Sequence, residues 1–249
     1  MKQESLGPLS GKTLDRVGVE EVQAIIQGDL TACVGPWESF SEDDRTQLEI
    51  VFRGAEPVNF FSSPSEWSQL QQRNGGQFSY VISAVNSRDK HSFFYLNCTG
   101  IAVVGTDRMS HHNVSVLTHQ NPGFVLVRDK EGDFFSALRQ SFLLLKERAE
   151  PGTISGLVFG GDHGDDNSVS RVNKSRSDDY VDLVGSIGSI YKEVFGTEVH
   201  IAVGPKYPEA SEVDVLLDTQ RRRLYITRPV HDGNIDESFP VNRVDEIKK

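Results

Sequence analysis

The spacing of apolar positions changes character along the chain. Val19, Val22, Ile25 and Ile26 recur at helical spacing between Val17 and Gln27 and stop at Gly28, which predicts a short helix. Ser41-Glu42-Asp43-Asp44 reads as an N-cap followed by first-turn acids, opening a helix through Phe52 that ends at Gly54. Ser63-Pro64-Ser65-Glu66 repeats that start signal, with a proline at an early helical position, and the helix it opens runs to Arg73 before Asn74-Gly75-Gly76 breaks the chain. From Phe78 the apolar runs shorten to strand length: Phe78 to Val85, Ser92 to Leu96, Cys98 to Gly105, Asn113 to Thr118 and Phe124 to Val127. Asp133 to Ala149 is an amphipathic helix with Phe134, Leu138, Phe142 and Leu145 on one face. Ile154 to Phe159 is a buried-strand pattern ending in Gly160-Gly161, and Asp165 to Ser177 is a polar loop. Asp178 to Phe195 is a second long helix closing at Gly196. Val199 to Val203, Val213 to Leu217 and Leu224 to Thr227 are the last strands.

This order predicts an α+β fold: mostly antiparallel, sandwich-like β-sheets flanked by helices, with a helical N-terminal extension. The boundaries expected are a polar tail over 1–16, the helical extension over 17–76, a main domain over 77–230 and an irregular tail over 231–249.

Composition narrows the function classes. The 249 residues carry a formal net charge of -10, which argues against a general nucleic-acid-binding role, since that needs a basic footprint. Arg221-Arg222-Arg223 is a local basic cluster, read as a solvated turn between two strands. The two cysteines, Cys33 and Cys98, make no disulfide framework, and a reducing, cytoplasmic environment is expected. Cys33 is expected in a loop or as a small packed apolar side chain. No apolar run reaches the length of a membrane-spanning helix. The polar start lacks the apolar core of a classical signal peptide but leaves a non-classical export route open.

The candidate chemistry centres on Cys98 and His119. Adjacent antiparallel strands would bring the thiol at the head of one beside the imidazole at the end of the next, the minimum for activating a thiol nucleophile. A lone cysteine on a buried strand is more often a core residue, so the pair needs support. His111 and His112 are rivals for the imidazole, but they fall in a polar loop where exposure is the plainer reading. His119 ends its predicted strand and precedes the turn Gln120-Asn121-Pro122-Gly123, which would set it at a cleft rim. Asp162 and His163 fit a polar loop better than a cleft lining. Phe93, Phe94 and Tyr95 read as core packing, and Asp178-Asp179 as helix-start acids. No spacing of a zinc site is present, and no metal or cofactor is expected.

The order of elements from Cys98, with His119 on the next strand and Gly160-Gly161 after the central strand, resembles the chemoreceptor glutamine deamidases of bacterial chemotaxis and the cytotoxic necrotizing factor-like toxins. The resemblance covers Phe78 to Arg228 and is one of element order and sparse motif. It implies Cys98 as nucleophile, His119 as base, and Ser92 in place of a family threonine six positions before the cysteine that orients the histidine. It also implies close backbone approach at Gly160-Gly161. The family's Ser-Gly-Cys is replaced here by Leu96-Asn97-Cys98; Asn97 reaches left-handed backbone more readily than most residues. Oxyanion donors implied are the Cys98 N–H, an adjacent main-chain amide or the Asn97 side chain.

The function this resemblance implies is conversion of a glutamine to glutamate in a protein partner, in the manner of a secreted bacterial effector or toxin, with the N-terminal helices serving recognition or export. The alternatives are another thiol hydrolase or acyltransferase using the same pair, and a non-catalytic protein-binding module that retains the fold.

Overall fold

A computed structural model describes residues 23–36, 39–58, 80–92, 95, 98–121, 125, 131–160, 171–203 and 214–228. Its strands form two sheets. The first has the order β1-β2-β11-β10-β5-β3, from β1 (Gln23–Gln27), β2 (Leu30–Pro36), β11 (Arg223–Arg228), β10 (Asp214–Asp218), β5 (Lys90–Ser92) and β3 (Glu56–Pro57). The second has the order β4-β7-β6-β8-β9, from β4 (Tyr80–Ile82), β7 (Asn113–Gln120), β6 (Thr99–Thr106), β8 (Ser155–Gly160) and β9 (His200–Val203). Pairing is antiparallel except for β2 with β11, β3 with β5 and β8 with β9. The α+β architecture with mostly antiparallel sheets is as expected.

Alternation along the strands sorts side chains into layers. Ala102, Val104, Leu117, Leu157 and Phe159 of the second sheet meet Ala32, Val215, Leu217 and Leu224 of the first in a shared core between the sheets. On the opposite face of the second sheet, Ile101, Val103, Val116 and Val158 pack against α2 (Glu131–Arg148) and α3 (Arg171–Phe195). The outer face of the first sheet places Leu216 and Tyr225 against Leu48 and Val51 of α1 (Glu42–Gly54). The described molecule is therefore a helix–sheet–sheet–helix stack. Ser41 caps α1, its hydroxyl accepting from the Asp44 N–H at 3.1 Å.

Several expectations are corrected. The last part of the run, residues 23–27, is the first strand of a hairpin: Gln27 pairs with Leu30 across Gly28-Asp29, and Gly28 has φ +57. A two-residue Gly-Asp loop with positive φ at its first position outweighs the helical spacing of the preceding isoleucines. Within 17–76, residues 23–36 thus enter the same sheet as β5, β10 and β11, and α1 is the described helix of that stretch. The helix over 63–73 lies outside the described residues.

Val125 is helical, its N–H donating to the Asn121 carbonyl at 3.0 Å, where a strand was expected. Helix α3 starts at Arg171, so Asp178 and Asp179 fall inside it and not at its start. Cys33 sits within β2, half-buried against the α1 layer. Of the arginine triplet, Arg221 and Arg223 are exposed as expected, but Arg222 is buried.

Candidate active site

One short segment carries most of the site. After Ser92 at the end of β5 the chain crosses from the first sheet to the second and enters β6 at Thr99, passing Tyr95 and Cys98 on the way. Ser92, Tyr95 and Cys98 are spaced three apart, and all three are buried. His119 comes from β7 of the second sheet, pointing into the core between the sheets, and is 1% exposed. The expected cleft-rim position is corrected: the strand continues through Gln120, so His119 lies within β7 and inside the sandwich.

The hydrogen bonds fix the imidazole. The Ser92 hydroxyl donates to the Val58 carbonyl at 2.6 Å, which commits its single proton. The 3.0 Å contact between Ser92 Oγ and His119 Nδ1 is therefore donated by Nδ1–H. Nε2 is left as the nitrogen with the lone pair, the atom able to take a proton. Ser92 and Val58 belong to the first sheet and its margin, so the orienting bond runs across the sandwich.

Tyr95 holds the same residue by a different contact. Its ring stacks on the imidazole, with centroids 4.0 Å apart and planes 16° from parallel. Its hydroxyl donates to the Thr118 carbonyl at 2.9 Å. Thr118 compensates locally, its own Oγ1 accepting from the Ile101 N–H at 3.0 Å. Regular pairing thus lapses between Thr99↔Gln120 and Ala102↔Leu117, opposite His119. Gly100 makes this possible: a Cβ there would lie 2.4 Å from Phe159 Cζ and 2.6 Å from the Thr118 carbonyl oxygen.

The β6–β7 register sets the cysteine. Thr99 pairs with Gln120, so Cys98 comes just before the ladder and Asn121 just after it, and Cys98 turns into the same core between the sheets as His119. Diagonal neighbours in an antiparallel ladder are about 7–8 Å apart at the backbone, and the Phe159 ring occupies the space that a side chain at Gly100 would take. Gly160, at φ +81, passes so close that a Cβ would lie 2.7 Å from the Cys98 carbonyl oxygen. Asn97, Gly161, Asp162, His163, Phe93 and Phe94 lie outside the described residues. His111 and His112 are exposed, as expected.

Burial decides the resting protonation. It pushes the Cys98 thiol up to about 12, against a smaller downward pull from Asn121. It pushes His119 down to about 3. At neutral pH the pair rests as thiol and neutral imidazole, not as a preformed thiolate and imidazolium. Such a pair can act by general-base transfer, with the sulfur losing its proton as it attacks.

The structure joins Ser92 to His119 and sets the Gly160 backbone against Cys98; the sequence reading missed Tyr95 as a histidine contact, Asn121 as a group that lowers the thiol's pKa and the Val58 carbonyl. Asn121 was within reach of sequence reasoning, because counting an antiparallel register outward from the β6–β7 loop places it at the same end of the ladder as Cys98. Among the described residues no cluster of His, Cys, Asp and Glu has the makings of a metal site, and no helix is long and apolar enough to cross a membrane. No protein-family model matches the chain, and no curated protein matches it in sequence.

Proposed function

We propose that the protein is a cysteine-dependent glutamine deamidase acting on a protein substrate. The observation that carries this reading is the Val58–Ser92–His119 chain of hydrogen bonds, which orients a buried imidazole on the sheet face that also bears Cys98. An imidazole held through Nδ1, with its other nitrogen basic, is how a histidine serves a nucleophile.

In the reaction, His119 Nε2 takes the thiol proton as Sγ bonds to the glutamine carboxamide carbon, and the carbonyl π electrons move to oxygen. The tetrahedral adduct collapses by breaking the carbon–nitrogen bond, and ammonia leaves with the proton returned by His119. Water, deprotonated by His119, then attacks the thioester. The carbon–sulfur bond breaks, giving glutamate and restoring the thiol.

The test is a search for glutamine-to-glutamate conversion, a gain of about one dalton per site, in proteins exposed to the parent chain. Conversion sites that vanish with Cys98→Ser and with His119→Ala, and weaken at least about tenfold with Ser92→Ala, are the expected result. Cleavage or acyl-transfer products in place of that mass change would assign the pair to another thiol hydrolase or acyltransferase.

A second reading has one observation in its favour. Cys98 is only 9% exposed, and burial holds its thiol protonated, as in a cysteine that merely packs. A non-catalytic binding module would convert no glutamine and would give the same partners with Cys98→Ser as with the parent.

A further inference from the structure

We propose that Thr118 is a positioning residue for this site: its hydroxyl stands in for its own carbonyl in the β6–β7 ladder, and the carbonyl so released anchors the tyrosine that holds His119. The inference deepens the deamidase reading and rests on it for the effect on rate. The Ile101 N–H, which a regular register would direct to the Thr118 carbonyl, goes instead to Thr118 Oγ1 at 3.0 Å. The carbonyl accepts from the Tyr95 hydroxyl at 2.9 Å. It leans over Gly100, 2.6 Å from where a Cβ on that residue would stand, and so is turned away from a donor in the plane of the sheet.

The anchored peptide group is the one that leads into His119. Tyr95 therefore grips the histidine twice, by its hydroxyl on that peptide and by its ring on the imidazole, with centroids 4.0 Å apart. The Thr118 hydroxyl is itself aimed. It donates to Gln120 Oε1 at 2.7 Å, and Gln120 Nε2 donates to Thr99 Oγ1 at 2.9 Å. A hydroxyl has one proton, so committing it to Gln120 leaves the lone pairs to face the Ile101 N–H. Thr99, Thr118 and Gln120 are all fully buried. Alternation puts Thr118 and Gln120 on the helix-facing side of β7 with Val116. A buried polar chain on one face of the sheet thus fixes the histidine on the other. Packing alone would be served by a valine at 118, which needs no partners in that layer.

The test is the position of the His119 ring-proton resonances in the full chain, assigned by their loss in His119→Gln. A proton above an aromatic face resonates upfield, so these signals report the Tyr95 stack without a known substrate. Thr118→Val keeps the shape of the side chain and removes the hydroxyl. The Ile101 N–H then takes back the carbonyl, Tyr95 loses its anchor, and the His119 signals should move downfield. Tyr95→Phe keeps the ring, loses the same bond and should move them the same way. The double variant should move them no further than the larger single change, because both substitutions break one interaction. Thr118→Ser, which keeps the hydroxyl, should return them to the parental position.

His119 signals that stay at the parental position in Tyr95→Phe overturn the proposal, whether or not Thr118→Val folds; so does a folded Thr118→Val with parental signals. The glutamine mass search separates the two claims. Thr118→Val should lower kcat at least about tenfold with KM unchanged, the loss falling on the transition state, and Thr118→Ser should restore it. Parental kcat in Thr118→Val removes the Thr118 role and leaves the deamidase reading standing. Absence of conversion by the parent removes the deamidase reading, and the His119 signals then decide the anchoring by themselves.

Discussion

At the scale of single residues, burial depresses two imidazoles, one in the site and one beneath α1. His119 is pushed down to about 3, and His91, tilted against Phe52 with ring centroids 4.7 Å apart, to about 4. Both lie below the value of about 6.5 for an unfolded chain. As pH falls below that value the unfolded state binds protons that the folded state refuses, so the stability is full above it and is lost on acidification. The loss should approach about 1.4 kcal/mol per pH unit for each histidine, down toward pH 4. Urea midpoints measured between pH 7.5 and 4.5 should show this slope, and His91→Gln should reduce it; an unchanged slope would contradict neutral burial of His91.

His119, its hydroxyl partner Ser92 and the proposed nucleophile Cys98 were legible as residue types and in their order along the chain. Tyr95 was legible only as a buried aromatic. A stack on His119 depends on the chain crossing between sheets at that point, which no local pattern encodes.

At the scale of elements, the crossover from β5 to β6 and the β6–β7 ladder do the positioning. Two glycines permit the approach of these segments, and only one was flagged by the sequence. Gly160 closes on the Cys98 carbonyl at a φ that suits glycine. Gly100 looked like a neutral position in an apolar run, but the missing Cβ admits Phe159 and the Thr118 carbonyl opposite His119.

Gly100→Ala should therefore destabilise the fold by about 1–3 kcal/mol, the usual range for overpacking a filled core. It should also displace the Tyr95–His119 stack. Thermal melts with a near-ultraviolet aromatic signal check both effects, and a parent-like melt would contradict the packing. Strands β6 and β8 were legible as short continuous apolar runs, and β7 as a mixed run rich in β-branched residues. The β1–β2 hairpin was not, because helical spacing of a few isoleucines was given more weight than a two-residue Gly-Asp loop.

At the scale of the whole molecule, the ends of the two sheets opposite the site are tied by Arg222. It sits in the β10–β11 turn with φ +54 and turns its guanidinium inward. It donates to Asn113 Oδ1 at 3.0 Å and Thr106 Oγ1 at 2.6 Å, at the adjoining ends of β7 and β6, and to the Thr153 carbonyl at 2.8 Å just before β8. The β1–β2 turn adds a tie, the Asp29 N–H donating to Ser155 Oγ at 3.2 Å.

Arg222→Ala should cost about 1.5–3 kcal/mol through the partners left unanswered, while Arg221→Ala at an exposed position should stay within about 0.5 kcal/mol. Denaturant midpoints compare them directly, and equal effects would contradict the tie. Sequence located the turn but not which of three adjacent arginines enters the core. That choice is made by the backbone at Arg222, which turns one side chain in between two exposed neighbours.

The relay to His119 spans both sheets, so the geometry of the proposed site depends on this assembly. Its central claim is that the imidazole of His119 activates the sulfur of Cys98. The most direct measurement is the rate of iodoacetamide modification at Cys98 near neutral pH in the parent and in His119→Gln, with Cys33 resolved by peptide mapping. The account predicts a slowing of about tenfold or more when the base is removed; equal rates in the two proteins would contradict it.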